Sequence, residues 1–285
     1  MDAIIRNLLL SILVPALAMG VSYFALTVQT RLSRPWVSFL TGLEAAFAFG
    51  LGFYFLTGSV PFVPKESTQW LIYVWVVAAI AAALLAGVGS PASRVTIMVA
   101  AVAFVTFVEV KSLWRGSWTP IQAVWLTGMI LAVGTIGWAM LQLIFERTKR
   151  SWAMIGLVGV LVLSSVAVAA TGSVSLAIMA GIFAAVVAPL VVIAWWRPES
   201  GVFAIAVPFT ALALLGVLVN ARFYSDLGVI PALLILLSPV VGWALVRFGP
   251  TRGFLAGDAG RTIAMLIPAA GAVAYAILTS APSGY

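Results

Sequence analysis

Long apolar runs broken by short polar connectors set the pattern of this chain. Ten runs are long enough, at about 20 mostly apolar residues, to cross a bilayer as helices. They are Ile4–Val28, Val37–Gly58, Gln69–Gly89, Val95–Val110, Ile121–Phe145, Trp152–Ala170, Val174–Trp196, Gly201–Val219, Leu227–Arg247 and Thr262–Ser280. The fourth is the shortest and extends towards Trp114, and only Thr171, Gly172 and Ser173 part the sixth from the seventh. The pattern predicts an all-α, polytopic transmembrane helix bundle of about ten spans.

Small residues and prolines divide the runs further. Gly50, Gly52, Gly128, Gly134, Gly137, Gly156 and Gly159 are expected at close helix crossings. Intraspan proline falls mostly late, at Pro189, Pro208, Pro231, Pro239 and Pro268 after an early Pro15, so the second half is expected to bend. Trp36, Trp70, Trp114, Trp118, Trp152, Trp195 and Trp196 lie near span ends, where interfacial anchors sit.

Charge supplies orientation. Connectors after odd-numbered spans carry ten cations, Arg31, Arg34, Arg94, Arg147, Lys149, Arg150, Arg197, Arg247, Arg252 and Arg261. The remaining connectors and termini carry five, Arg6, Lys65, Lys111, Arg115 and Arg222. Ten against five makes the first set cytoplasmic and both termini non-cytoplasmic, with Glu146–Arg150 the largest contributor. The expected location is a bacterial-type plasma (inner) membrane. The first run also resembles a signal peptide ending at Ala16-Leu17-Ala18, but its apolar character continues to Val28, as a first span requires.

Composition agrees with the lipid environment and removes several chemistries. The chain is 64% hydrophobic and 8% charged, against about 25% charged in soluble domains. Without cysteine or histidine there is no disulfide, thiolate cluster, Cys/His zinc site or histidine-ligated haem. No cofactor is expected. The net charge of +7 is scattered over connectors, with no basic stripe for nucleic acid. The glycines between Gly249 and Arg261 follow no strand and spell no phosphate-binding loop. A serine or threonine nucleophile would need Lys65 or Lys111 as its base, and neither accompanies a recognisable motif, so an enzyme is not expected.

Three groups of polar residues stand out. Glu44 is the carboxylate set well inside an apolar run, with Thr41 and Ser38 on neighbouring turns. An ionisable group in a span faces protein or water rather than lipid. Glu44 and Thr41 are therefore a candidate coupling or substrate contact, against the plainer reading of a structural acid bonded within the bundle. Glu109, near the end of the fourth run beside Lys111 and Arg115, reads as interfacial. Asn220, Arg222, Tyr224 and Asp226 form a candidate outer gate. The plainer alternative is a short connector closed by an Arg222–Asp226 ion pair at helical spacing.

The chain reads as a single membrane domain, 1–285, with possible halves 1–145 and 151–285 joined by the basic connector 146–150. The residues of the two halves do not match: Glu44 has no acidic counterpart in the seventh run. In span count and outline the whole chain resembles the drug/metabolite transporter superfamily. That resemblance implies solute transport and carries no motif, so no residue role follows from it. Two functions are expected: a secondary transporter of a small organic or lipid-like solute, or a non-catalytic structural or assembly subunit of a membrane complex. The partners are correspondingly the lipid bilayer with a small solute, or other membrane subunits.

Overall fold

All ten apolar runs become helices in the computed structural model, which describes residues 2–28, 32–250 and 252–280. In chain order they are α1 (Asp2–Val28), α2 (Arg34–Thr57), α3 (Ser67–Gly87), α4 (Pro91–Gly116), α5 (Pro120–Arg147) and α6 (Arg150–Ala170), then α7 (Val174–Val187), α8 (Pro189–Trp196), α9 (Ala206–Phe223), α10 (Val229–Phe248) and α11 (Asp258–Ser280). α7 and α8 together make one span, and a 3-10 turn at Gly201–Ile205 leads α9 into another. Ten segments are thus long and apolar enough to cross a membrane. Their outward faces carry large apolar side chains, among them Leu17, Phe47 and Ile121, as a lipid-facing surface requires. The protein is a multi-pass integral membrane protein.

Local sequence explains most boundaries. Pro91 and Pro120 open α4 and α5, where a missing N–H is harmless. Thr119 and Gln122 cap α5 reciprocally: the Gln122 amide donates to Thr119 Oγ1 at 3.3 Å and the Thr119 amide to Gln122 Oε1 at 3.0 Å. The three small residues after α6 are enough to reverse the chain, because Gly172 takes a φ of +90°. α4 runs well beyond the Val95–Val110 core of its apolar run, reaching Gly116.

The prolines act less uniformly than their positions suggest. Pro189 divides the seventh span into α7 and α8, and Pro15, Pro239 and Pro268 lie inside helices. Pro208 and Pro231 instead occupy the first turns of α9 and α10, where no intrahelical hydrogen bond is lost. They are helix starts rather than bends.

α9 is the axis of the bundle. Its span is the most deeply buried of the ten, whereas α1 and α5 lie at the periphery. α3, α4, α5, α6 and α7 all pack on α9, α1 packs on α7 and α8, and α11 packs on α6 and α10. Close crossings use some of the small residues singled out above. A Cβ on Gly52 would meet the Ser11 carbonyl at 2.7 Å, and one on Gly159 would meet Leu266 at 2.9 Å. Gly50, Gly128 and Gly137 face open space and serve no crossing.

Alternating direction gathers the odd-numbered connectors at one end. Arg34, Arg94, Lys149, Arg150 and Glu199 surround a shared cavity there, while Arg31 lies outside the described residues. Polar links tie this end together: Arg197 donates to the Thr27 carbonyl at 3.2 Å, the Lys149 amide to Asp258 Oδ2 at 3.2 Å, and Thr262 to the Trp152 carbonyl at 3.3 Å. At the opposite end Ser225 donates to Ser173 at 3.1 Å.

Candidate functional site

The arginine-rich end holds a vestibule of about 860 Å³ between the ends of α2, α3, α4, α5, α6 and α8. Its rim carries Arg34, Arg94, Lys149 and Arg150, with Glu146 and Glu199 opposing them. Its wall is polar at Gln142, Thr148 and Ser151, and its floor lies at Ser38, Ala82, Met98 and Pro208. Met98 is seven residues from the start of α4, so the floor lies roughly 10 Å inside the bundle.

Several rim groups are already oriented. Gln142 donates to Glu146 Oε1 at 2.7 Å, and Arg94 Nε donates to the Val88 carbonyl at 3.3 Å. The Arg150 guanidinium lies over the rings of Phe145 and Phe203, at 5.2 and 5.4 Å from their centroids. Stacking of this kind fixes a planar cation while leaving its N–H edges free. Thr148 is 7% exposed, and its hydroxyl has no hydrogen-bond partner.

Below the floor the bundle is closed by aromatic packing. Phe49 of α2, Trp75 of α3, Phe183 of α7 and Phe209 of α9 are all fully buried and touch one another. Trp75 stacks on Phe209, and Phe183 lies 5.3 Å from Phe209. Four helices meet in this plug, so it moves only if they move.

Near the far end lies a buried polar lock. Asn220 Nδ2 donates to Glu109 Oε2 at 2.6 Å and to the Gly216 carbonyl at 2.9 Å, and both side chains are fully buried. Tyr224 donates to the Glu109 carbonyl at 2.7 Å and pairs with the Ser112 hydroxyl. The lock thus joins α4 to the end of α9. Glu109 does not face outward: its helical phase turns it onto α9, while Lys111, two residues on, lies over the Trp70 ring at 3.9 Å.

The proposed outer gate is accordingly divided. Asn220 and Tyr224 join Glu109, but Arg222 and Asp226 do not pair. α9 ends at Phe223, so Asp226 lies past the helix and the expected spacing is not realised. Arg222 is turned to the Phe223 ring, 5.9 Å away.

Glu44 and Thr41 separate too. Thr41 is buried and donates to the Val37 carbonyl at 2.6 Å within its own helix. Glu44 lines an outward-opening groove of about 690 Å³ between α1 and α2, walled by Val14, Leu17, Leu43 and Phe47. Ser22 lies beside its carboxylate, and Oε2 has no partner. Because α2 begins at Arg34, Glu44 is ten residues in, roughly 15 Å from that end rather than the 10 Å its apolar run suggested. It opens neither onto the vestibule nor onto Glu109.

Sequence reading counted Arg34, Arg94, Lys149 and Arg150 as orientation signals and missed that they converge. The tract Glu146–Arg150 held the available signal, since it places cations directly at a helix start. Among the described residues no group of three or more carboxylates could hold a metal ion. No protein-family model, curated protein or solved structure matches the chain.

Proposed function

We propose that this protein is a secondary transporter of a small organic solute, loaded from the arginine-rich end. The vestibule carries this reading. It is large enough for a metabolite, since ligand pockets span about 300–1,000 Å³, it combines polar and apolar walls, and it stops at packed groups rather than running through. A chamber open at one end and closed at the other is what alternating access requires of one conformational state. The aromatic plug and the Glu109–Asn220–Tyr224 lock are the elements that must part for release. Positive-inside bias makes the arginine-rich end cytoplasmic and both termini non-cytoplasmic, in a bacterial-type plasma membrane.

Glu44 remains the coupling candidate, approached from the α1–α2 groove. Thr41 is committed to its own helix and contributes position only. Glu44→Gln abolishes or uncouples proton-linked uptake. Unchanged, pH-dependent uptake in that variant removes Glu44 from the mechanism.

A second reading rests on the same groove. A carboxylate lining an outward-opening apolar groove suits a partner transmembrane helix bringing a donor, as in a structural or assembly subunit. Reconstitution separates the two. The transporter accumulates or counterflows at least one solute from a panel of carboxylates, amino acids, sugars and nucleosides in proteoliposomes. No uptake above protein-free vesicles, with co-purification of a second membrane protein from native membrane, supports the subunit instead.

A further inference from the structure

Among the described residues Glu109 is the one fully buried carboxyl group, and the donors around it are already spent. Asn220 Nδ2 gives one N–H to Glu109 Oε2 at 2.6 Å and the other to the Gly216 carbonyl at 2.9 Å. A backbone carbonyl can only accept, which fixes the nitrogen end of the amide on that side. The Tyr224 hydroxyl serves the Glu109 main-chain carbonyl and Ser112. Glu109 Oε1 and Asn220 Oδ1 are both buried, and neither receives a donor. Two acceptors thus stand open within one side-chain pair.

No cation is paired with the carboxyl. α3, α5 and α9 pack on α4. α3 brings Leu71 and Val74 to this level, and its Tyr73 is turned to the Phe62 carbonyl. α5 has no ionisable residue before Glu146, at the opposite end of the bundle. On α9 the Arg222 guanidinium lies 5.9 Å from the centroid of the Phe223 ring. On α4 itself the Lys111 ammonium sits 3.9 Å from the centroid of Trp70, and Arg115 is exposed. An ionised carboxylate buried with one neutral donor and no counter-ion is costly. A proton on Oε1 removes the charge and supplies a donor, and the Asn220 oxygen is the open acceptor in the same pair.

We infer that Glu109 is a proton-binding site: its carboxylic acid and the Asn220 amide form a doubly bonded pair that latches α4 onto α9, and loss of the proton releases it. On release the proton passes from Oε1 to water at the far end of the bundle, where Ser112, three residues on, is exposed. The carboxylate left behind turns towards the same water, and α4 parts from α9. Met98, Val105 and Glu109 share one face of α4, so the face that floors the vestibule ends at the latch. Parting there opens the closed end of the chamber. That role in release rests on the transport reading; the proton site does not. Glu44, in the α1–α2 groove, is a separate carboxyl.

The test uses the purified full chain in phosphatidylcholine nanodiscs. Infrared spectroscopy separates the C=O stretch of a carboxylic acid from the bands of carboxylates. At neutral pH an acid band is present that Glu109→Gln removes and Glu44→Gln leaves in place. Asn220→Leu keeps the acid but takes away its acceptor, so the band moves to higher frequency. No band lost in Glu109→Gln, or an unmoved band in Asn220→Leu, overturns the site. Release is read from Val105→Cys, a buried position one turn from Glu109, with a small methanethiosulfonate reagent. The thiol is silent at neutral pH and reacts as the pH is raised. Combined with Glu109→Gln it stays latched, because the amide has no proton to lose in this range. The ratio of the two labelling rates rises about tenfold per pH unit, as loss of one proton requires. Equal rates in both proteins overturn the latch. In proteoliposomes Glu109→Gln stops uptake, and undiminished uptake overturns the role in release. The infrared and labelling results as stated, without uptake by the unaltered protein, support the proton site while the transport reading fails alone.

Discussion

Asn220 donates its side-chain amide to Glu109 across 111 positions of sequence, and the 2.6 Å bond lies wholly within the bundle. The same amide reaches the Gly216 carbonyl, one turn back on α9. Glu109 Oε1 and Asn220 Oδ1 are left without donors. A Cβ at Gly216 would stand 2.7 Å from Leu71 Cδ2 of α3, so the absent side chain lets α3 close on α9 beside the carboxyl. This bond, with Tyr224 on the Glu109 carbonyl, fastens α4 to the bundle axis at the end opposite the vestibule.

Replacing Asn220 by leucine leaves Glu109 buried with neither oxygen bonded. The expected loss is about 1–3 kcal/mol of stability. Glu109→Gln costs less, because its carbonyl still accepts from Asn220. Equilibrium unfolding in mixed micelles measures both. An equal or larger loss in Glu109→Gln would mean that the Asn220 bond is not what matters there.

The α2–α3 crossing depends on Gly42. A methyl group there would collide with the Cα and Cβ of Ala79, which belong to a buried helix and cannot swing aside. Gly42→Ala should therefore cost about 1–3 kcal/mol, as overpacking does. Gly50→Ala, eight residues on in the same helix, meets nothing and should leave stability unchanged or raise it by up to about 1 kcal/mol. The same unfolding measurement compares them, and similar losses in both would contradict the crossing geometry.

Because Arg222 does not pair with Asp226, neutralising the acid should matter little. Asp226→Asn is expected to shift stability by less than about 0.5 kcal/mol. A loss as large as that of Asn220→Leu would restore the ion-paired connector suggested by the spacing.

The spans and their alternation were legible in the sequence because both depend on local facts: runs of apolar residues long enough for the bilayer, and cations at every second connector. The Thr171–Ser173 break was legible for the same reason. The burial of Glu109 was not legible, because its neighbours Lys111 and Arg115 are connector-like cations, whereas its position on the helix circumference turns it to α9. Its partner comes from the far half of the chain, and no local pattern announces that. The vestibule was invisible for a related reason: six helix ends build it, and α2, α4, α5 and α6 each contribute only one or two polar residues that look like ordinary connector polarity. Pro208 and Pro231 were read as bends because the helix starts lay within two or three residues of them, the distance over which boundaries are hardest to assign.

The most direct test of a vestibule open at one end is chemical access to its floor. The chain contains no cysteine, so a single introduced thiol reports without background. The Met98→Cys variant is exposed to a membrane-impermeant maleimide in right-side-out and inverted vesicles, beside Ala92→Cys at the exposed start of α4 and Val105→Cys buried deeper on that helix. The thiol at position 98 should react from the arginine-rich side alone, at a rate approaching that at position 92, while position 105 stays silent. Silence at 98 while 92 reacts, or reaction at 98 from the opposite side, would contradict a solute chamber at this end.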